Sequence, residues 1–285
     1  MRCEVGCDRV ERVTILITGA SGNAGGAVLQ SLAEQGIPGR ALIRSERELP
    51  AGIEPVYGDL NRPDTFADAL TGVKGIFLLS GYDRLEEMLR NAVRAGVRKV
   101  VVLSSSSLDG EVTNAVAAYH HATEEAVRAA GLEWTFLRPN SFMSNTLRWR
   151  DQLAAGDEVR VQFPDVPVST IHPRDIGDVA VRALQGAHDG EVLRLTGPVA
   201  LTPVEQVAIL AEAIGRPLTA YPMSRAETHE ALHDSMPEPY AQAIESFFGD
   251  GTIDETTVNT TVSDVTGHPA RTLQAWAKEN AAFFV

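Results

Sequence analysis

The chain has 285 residues, 44% of them apolar, which suits one large domain or a domain with a smaller lobe. Its formal net charge of −13 disfavours nucleic acid and acidic membrane surfaces as partners, because both select a basic face. No apolar run approaches the roughly 20 residues of a membrane span. Residues 1–11 carry charges where a secretion signal would be apolar, so we expect a flexible tail there and a cytoplasmic protein.

Both cysteines, Cys3 and Cys7, lie in that tail. A zinc site would need further ligands at suitable spacing, and none stand nearby. We therefore expect free thiols in a reducing compartment, and no metal site.

The first predicted element is an apolar strand over residues 13–17, which runs into a glycine-rich turn and then an alanine-rich amphipathic helix. Gly19, Gly22 and Gly25 recur at every third position. Such glycines permit a tight turn, close approach of a diphosphate to the backbone, and close packing of helix on sheet. The free N–H groups and positive dipole end of the helix then face an anion. The pattern predicts dinucleotide binding; the alternative is an ordinary strand–turn–helix.

A second strand is predicted over residues 37–43, ending at Arg44, with Arg40 and Arg47 close by in sequence. In a dinucleotide fold the end of this strand meets the adenosine ribose. An acidic residue there would bind both ribose hydroxyls, whereas the planar donors of arginine match a phosphate. Arg44 therefore favours NADP(H), with NAD(H) possible; a solvated basic turn is the alternative.

Strand and helix patterns then alternate. Further strands are predicted over residues 54–58, 73–80, 99–103 and 133–137, and helices over 61–70, 83–95 and 113–130. This alternation indicates a parallel doubly wound sheet, whose ligands lie beyond the carboxyl ends of the strands. Asp59 follows one such end, where it would accept from the adenine amino group or only cap the turn. Ser80, the serines 104–107 and residues 139–142 follow others.

The regular alternation loosens beyond residue 140. We predict helices over 144–155, 174–185 and much of the chain after 202, and extended segments over 158–163, 168–171 and 191–196, the last in the main sheet. The predicted fold class is α/β, a doubly wound parallel (Rossmann-like) sheet with a smaller, mainly helical C-terminal lobe. The nucleotide-binding domain would comprise residues 12–140 and about 168–197. The substrate-binding lobe would comprise residues 141–167 and 198–285, with the substrate in the cleft between them.

Hydride transfer to a carbonyl needs a proton donor near the developing oxyanion. A familiar solution is a tyrosine followed four residues later by a lysine on the same helix face. Tyr119 lies on the appropriate helix, but position 123 is threonine, so the cation is missing. We predict His121 as its substitute, because histidine titrates near neutrality and this one leads towards Glu124. The alternative is that one of His120 and His121 is exposed while the other packs at the cleft.

Two further groups of residues have both a structural and a functional interpretation. Phe142 and Met143 are candidates to line an apolar substrate pocket, although such side chains are more often core. Asp175 is predicted to cap a helix, and His172 is predicted to be structural rather than catalytic.

Several motifs together resemble the NmrA-like atypical short-chain dehydrogenase/reductases, including their NAD(P)H:quinone oxidoreductase-like members. They are the glycine turn of residues 18–25, Arg44, Gly58-Asp59-Leu60, the serines from 104, His121-x-x-Glu124, residues 131–139, Phe142-Met143-x-Asn145 and Ile171-His-Pro-Arg-Asp175. The resemblance runs from about residue 13 to the end of the chain. It is specific for the family and weak for the substrate.

The resemblance implies a Rossmann-like domain, a small C-terminal lobe and a preference for NADP(H). The resemblance implies that the cofactor is bound by Gly19, Ser21, Gly22, Asn23, Ala24 and Arg44. It places Asp59 and Leu60 near the adenine, and it places Leu79, Ser80, Ser104 and Ser105 beside the nicotinamide ribose. The missing tyrosine–lysine pair separates the chain from the wider superfamily.

Two functions are consistent with these residues. The first is an NADPH-dependent reductase of a small, largely apolar carbonyl, enone or quinone. A quinone tolerates the missing lysine best, because its ring stabilises the reduced oxyanions. The second is a non-catalytic NADP(H)-binding redox sensor of the NmrA type, acting through a protein partner. A regulator would be expected to show a partner surface, and none is identifiable in the sequence. The compact length and residues 265–277, which are similar to the C-terminal helix of bacterial members, favour the enzyme. We expect a monomer or homodimer.

Overall fold

The computed structural model describes residues 14–65, 67–111 and 113–284, so the predicted tail with Cys3 and Cys7 lies outside the described residues. The strands are β1 (Thr14–Ile17), β2 (Gly39–Ile43), β3 (Ile53–Tyr57), β4 (Val73–Leu79), β5 (Lys99–Leu103), β6 (Glu133–Pro139), β7 (Glu158–Val161), β8 (Glu191–Leu195) and β9 (Thr219–Pro222). The α-helices are α1 (Asn23–Glu34), α2 (Leu85–Arg94), α3 (Ala115–Ala129), α4 (Arg150–Ala155), α5 (Pro173–Leu184), α6 (Pro203–Ile214), α7 (Arg225–Ser235), α8 (Glu238–Ile244), α9 (Thr261–Thr266) and α10 (Leu273–Glu279).

Seven strands form one sheet in the order β3-β2-β1-β4-β5-β6-β8, and every neighbouring pair is parallel. The chain builds outward from β1 to β3 and then returns to β4 on the other side of β1. This reversal creates a crevice at the carboxyl ends of β1 and β4, where doubly wound sheets bind ligands. The arrangement confirms the predicted Rossmann-like fold, with β8 in the main sheet as expected.

Alternate residues of the central strands point to opposite faces of the sheet. Ile15 and Ile17 pack with α1 and α5 on one face, whereas Leu16 packs with α2 and α3 on the other. Because helices cover both faces, these strands are apolar at almost every position. The two layers hold the carboxyl ends of the strands at one edge.

Glycines allow close packing on the first face. A Cβ on Gly25 would lie 2.3 Å from the Gly19 carbonyl oxygen, and one on Gly177 of α5 would lie 2.6 Å from the Ala27 carbonyl oxygen. Helix α1 is therefore seated tightly between the turn that precedes it and helix α5.

The C-terminal part has its own small core. Strands β7 and β9 pair in a separate two-stranded parallel sheet. Trp149, Leu210 and Trp276 are buried together beside it. Among the described residues, no helix combines the length and the apolarity that crossing a membrane requires. The exact division into a nucleotide domain and a lobe stays a prediction.

Some predicted elements are wrong in detail. Residues 61–70 form two short 3₁₀ turns, Pro63–Thr65 and Asp68–Leu70, instead of one helix. The Thr65 hydroxyl accepts from the Asp59 N–H and donates to the Arg62 carbonyl, and such local bonds compete with a helix. Residues 168–171 make only isolated bridges rather than a strand.

Residues 144–155 also differ from the prediction, because a 3₁₀ helix over Met143–Trp149 precedes α4. Asp175 does not cap α5. His172 occupies the cap position, and its Nδ1 accepts from the Arg174 N–H at 3.1 Å. His172 thus has a structural role, while buried Asp175 pairs with Arg271.

The seating of α1 predicts opposite effects for two adjacent glycines. Gly25→Ala should lower the free energy of unfolding by about 1–3 kcal/mol, because its methyl group would overlap the Gly19 carbonyl. Gly26→Ala should raise it by about 0.5–1 kcal/mol, since its Cβ meets nothing closer than 3.7 Å and alanine favours a helix. Urea unfolding of both variants measures the difference. Equal stabilities would contradict this packing.

Candidate functional site

The start of α1 lacks the side chain that would satisfy its first N–H groups. Gly22 occupies the cap position without a capping side chain, and the first turn carries no acidic residue. Gly19 adopts φ +61°, which lets its carbonyl accept from the Gly22 N–H at 2.9 Å. The Asn23 side chain donates instead to Ser144 Oγ at 3.0 Å. The opening N–H groups of the helix are thus available to an anion.

Beside this turn lies a cavity of about 350 Å³, which we call the glycine groove. Its lining residues are Gly19, Ala20, Ser21, Leu42, Ile43, Arg44, Ser45, Arg47, Gly58, Asp59, Leu60, Asn61 and Tyr82. The structure thus brings together five predicted site residues, Gly19, Ser21, Arg44, Asp59 and Leu60. Gly22, Asn23 and Ala24 stand beside them at the helix start.

The positive charge of the glycine groove comes from Arg44 and Arg47. Arg44 is exposed and makes no ion pair or hydrogen bond with other described residues. Arg40 lies outside the groove, where it bonds Glu54 and the Thr71 carbonyl. Arg44 therefore stands at the end of β2 with no partner among the described residues, at the position where an extra phosphate would be recognised.

A second cavity of about 380 Å³, the strand-end cavity, lies beyond the ends of β4, β5 and β6. Leu79 separates the two, since it lines this cavity and its side chain packs over Gly19. The lining residues are Leu79, Ser80, Leu103, Ser104, Ser105, Ser107, Val116, Tyr119, His120, Pro139, Asn140, Ser141, Phe142, Asn145, Ile244, Phe247, Phe248, Ile253 and Glu255.

Ser80 is the centre of a small polar cluster in the strand-end cavity. Its hydroxyl donates to the Leu103 carbonyl at 3.1 Å, and His120 Nδ1 lies 3.0 Å from the same oxygen. Both contacts are satisfied when Nδ1 of His120 carries its proton and donates to Ser80. The Tyr119 hydroxyl donates to the Ser80 carbonyl at 2.6 Å.

The environment keeps both ring side chains neutral. Burial lowers the pKa of His120 to about 4, only partly opposed by the charge of Glu124. Burial likewise raises the pKa of the Tyr119 phenol. Tyr119 is therefore a neutral donor already committed to the backbone, whereas His120 is a neutral imidazole hydrogen-bonded to a serine.

The prediction that His121, rather than His120, lies at the site is wrong. Successive helix residues turn by about 100°, so when His120 faces the strand-end cavity, His121 faces solvent and is exposed. Met143 is also misplaced by the prediction, because it is buried in the core of the C-terminal part and lines neither cavity. Phe142 lines the strand-end cavity, and its contact with a substrate stays a prediction.

Glu124 fixes this side of the site. It is fully buried and accepts hydrogen bonds from Ser104 Oγ at 2.6 Å, from Arg138 at 2.8 and 3.0 Å and from Arg128 at 3.0 Å. Burial alone would raise its pKa, but the bonds and charges of these partners hold the pKa below its usual value. The Ser104 hydroxyl thus donates to Glu124, whereas Ser105 Oγ accepts from the Ser107 N–H.

Two buried polar atoms beside the strand-end cavity have no hydrogen-bond partner among the described residues. They are Ser107 Oγ and Asn140 Oδ1. Buried polar groups are normally paired, so these atoms are candidates to bind a ligand. Their positions after β5 and β6 were available from the sequence.

Residues 244–255 also line the strand-end cavity, and the sequence did not predict them there. Ile244, Phe247 and Phe248 supply apolar surface, while buried Glu255 accepts from Ser106 Oγ and the Ser141 N–H. Their approach depends on packing between distant parts of the chain, for which the sequence carries no local signal.

An uncapped helix start and two adjoining cavities, at the carboxyl edge of a doubly wound sheet, define a dinucleotide-binding protein. A model of the NmrA-like family matches residues 11–277, and the chain belongs to that family. The resemblance seen in the sequence motifs is thereby confirmed.

Individual relatives agree with this assignment. The (4-alkanoyl-5-oxo-2,5-dihydrofuran-3-yl)methyl phosphate reductase of Streptomyces griseus is 36% identical over 279 residues, covering 95% of this chain and 99% of that protein. The NAD(P)H azoreductase of Xenophilus azovorans is 32% identical over 282 residues, with coverage of 95% and 99%. The crystal structure of an NADPH-dependent quinone oxidoreductase of Escherichia coli is 25% identical, with a TM-score of 0.73 and coverage of 93% and 98%. The prediction of an NAD(P)H-dependent oxidoreductase is confirmed at this level.

The low pKa of His120 predicts a loss of stability in acid. The unfolded state, with a pKa near 6.5, binds the proton more readily than the folded state, with a pKa of about 4. His120 therefore does not reduce the free energy of unfolding above pH 6.5. As the pH falls from 6.5 towards 4, protonation of His120 in the unfolded state lowers the free energy of unfolding by roughly 1–3 kcal/mol. His120→Asn should flatten the dependence of the unfolding free energy on pH across this range.

The matched control is His121→Asn, which changes an exposed neighbour on the same helix. Its pH dependence should match that of the unmutated protein, measured by urea unfolding at several pH values. If His120→Asn left the dependence of the unfolding free energy on pH unchanged, the surroundings of His120 would not lower its pKa.

Proposed function

We propose that the protein is an NADPH-dependent reductase that transfers a hydride to a small, largely apolar carbonyl, enone or quinone. The observation that carries this proposal is the order of features along one edge of the sheet. An unpaired arginine, an uncapped helix start and a largely apolar cavity follow one another there. This order suits an extended dinucleotide whose reactive end meets an acceptor.

In this proposal each part of the coenzyme has its protein partners. The free N–H groups at Asn23 and Ala24, with Gly19, Ser21 and Gly22 beside them, bind the diphosphate. Arg44 binds the 2′-phosphate and makes NADP(H) the preferred cofactor over NAD(H). The remaining predicted residues contact the two ends, namely Asp59 and Leu60 at adenine and Leu79, Ser80, Ser104 and Ser105 at the nicotinamide ribose.

The acceptor would lie in the strand-end cavity against Phe142 and the apolar side chains of residues 244–253. The bound coenzyme supplies the hydride. The proton would pass along the Ser80–His120 pair. The Ser80 hydroxyl would turn from the Leu103 carbonyl to the acceptor and give up its proton, the Nδ1–H of His120 would replace that proton, and His120 Nε2 would take one from solvent, so that the imidazole stays neutral. Tyr119, whose hydroxyl is bonded to the Ser80 carbonyl, acts in positioning. The names of the relatives, an azoreductase, a quinone oxidoreductase and a reductase of an oxo-dihydrofuran, support a conjugated acceptor.

The assignment of Arg44 predicts a selective loss of affinity. Arg44→Ala should weaken NADPH binding by about tenfold or more, because a charge-assisted hydrogen bond is lost. NADH binding should change little, since NADH has no 2′-phosphate. Calorimetric titration of both coenzymes measures the two effects. Arg40→Ala is the control, because Arg40 lies on the same strand but outside the glycine groove; equal losses for NADPH and NADH in Arg44→Ala would contradict the assignment.

The proposed proton path predicts a difference between the two histidines. His120→Gln should lower kcat about a hundredfold with an enone or aryl ketone, and less with a quinone, while the Kd for NADPH stays the same. His121→Gln should leave both constants unchanged. Oxidation of NADPH with a panel of quinones, enones, azo dyes and aryl ketones provides the measurement. Tight NADPH binding without turnover of any acceptor would support the redox-sensor function instead.

A further inference from the structure

A third and larger cavity of about 520 Å³ lies within the C-terminal part, beside the 3₁₀ helix Met143–Trp149, β7 and α7. We call it the lobe cavity. It shares Ser141, Phe142, Asn145, Ile244 and Phe248 with the strand-end cavity, so the two adjoin. A ligand that reaches from one into the other would pass these side chains.

The charge of the lobe cavity is opposite to that of the whole protein. The chain carries a formal net charge of −13, yet the charged residues that line this cavity are Arg148 and Arg160. No aspartate or glutamate lines it within the described part of the chain. The local potential therefore favours an anion, despite the unfavourable overall field.

The two arginines differ in their partners. Arg160 pairs with Glu227 at 2.8 Å and lies over the Tyr221 ring at 4.7 Å from its centroid. For Arg148 the structure shows no ion pair and no hydrogen bond to another described residue. Its guanidinium lies 5.4 Å from the centroid of the Trp149 ring. Arg148 therefore retains all five of its N–H donors for a ligand.

The surroundings of Arg148 make an anionic ligand favourable. The side chain of Arg148 is exposed to solvent at the cavity wall, and no carboxylate among the described residues lies on that wall, so a ligand can reach its guanidinium. An anion held there would accept charge-assisted hydrogen bonds from the guanidinium. The other walls include Phe163, Met223 and Leu232, which suit an apolar body.

We propose that Arg148 binds the anionic group of an amphipathic substrate whose apolar body fills the lobe cavity and whose reducible end reaches the strand-end cavity. The anion is a phosphate monoester, a carboxylate or a sulfonate, all of which match the planar donors of arginine. The position of the reducible end rests on the proposed function, whereas anion binding by Arg148 does not.

The binding test uses ligands that cannot be reduced by hydride. Calorimetry compares 1-naphthyl phosphate and 1-naphthoate with neutral 1-naphthol, with and without saturating NADP⁺ so that binding in the glycine groove is identified. We expect the unmutated protein to bind an anion about ten- to hundredfold more tightly than naphthol. The stronger of the two anions identifies the preferred group. Absence of any preference for an anion would overturn the proposal.

Variants show which residue causes the preference for an anion over naphthol. Arg148→Gln should abolish this preference. The variant should retain the affinity for naphthol, which also shows that the cavity is intact. Arg148→Lys should restore part of it. Arg150→Gln, which removes an exposed arginine that does not line the cavity, should retain it. A preference that survives in Arg148→Gln, or that is lost only in Arg160→Gln, would overturn the assignment.

A turnover test addresses the position of the reducible end. The KM for 1,4-naphthoquinone-6-sulfonate, whose anion lies on the ring opposite the quinone, should rise about tenfold or more in Arg148→Gln, while the KM for 1,4-naphthoquinone stays the same. An equal change in both KM values would overturn the proposed orientation. Failure of the reductase proposal is recognised separately, since neither quinone would then be reduced by any variant while the naphthyl phosphate titration would still report on Arg148.

Discussion

The closeness of α1 to the turn after β1 determines the geometry of the site. No Cβ fits at Gly25, because the Gly19 carbonyl lies against it, and Leu79 packs over the other side of Gly19. This contact holds the unsatisfied N–H groups of the helix start at the carboxyl edge of the sheet. Gly19 lines the glycine groove and Leu79 lines the strand-end cavity, so the two cavities are neighbours at this contact. A looser approach of α1 would displace the boundary between them.

A buried charge network holds helix α3 in place beside the strand-end cavity. Glu124 on α3 binds Ser104 at the end of β5 and Arg138 on β6, so it ties a helix to two strands. An isolated buried carboxylate would be very unfavourable, but here both oxygens are paired. Tyr119 and His120, about one turn earlier on α3, are thereby directed to the strand-end cavity. The helix is thus oriented by a side chain that does not line that cavity.

The sequence allowed prediction of features that depend on local pattern. Apolar runs before polar strand ends indicated the parallel sheet, and the glycine spacing indicated the helix start that faces an anion. Arg44 comes directly after a predicted strand, and this indicated that it lies at the carboxyl edge of the sheet.

Features that depend on orientation or on distant contacts were not predictable in the same way. His120 and His121 are adjacent, so only the rotation of α3 against the sheet decides which one faces the strand-end cavity. The same holds for Glu124 and Glu125, of which one is buried and the other exposed. Residues 244–255 and Arg148 reach their cavities through packing of the C-terminal part, which local periodicity does not report.

One hydrogen bond gives the molecule a mechanical link between its two halves. Asn23 stands at the opening of α1, yet its side chain donates a hydrogen bond to Ser144, which is 121 residues away and precedes Asn145 of the lobe-cavity wall. The opening of α1 and the segment that carries Arg148 are thus joined by a direct contact between side chains. Any coupling between ligands at these two places must be reciprocal, because each ligand would change the affinity of the other by the same factor.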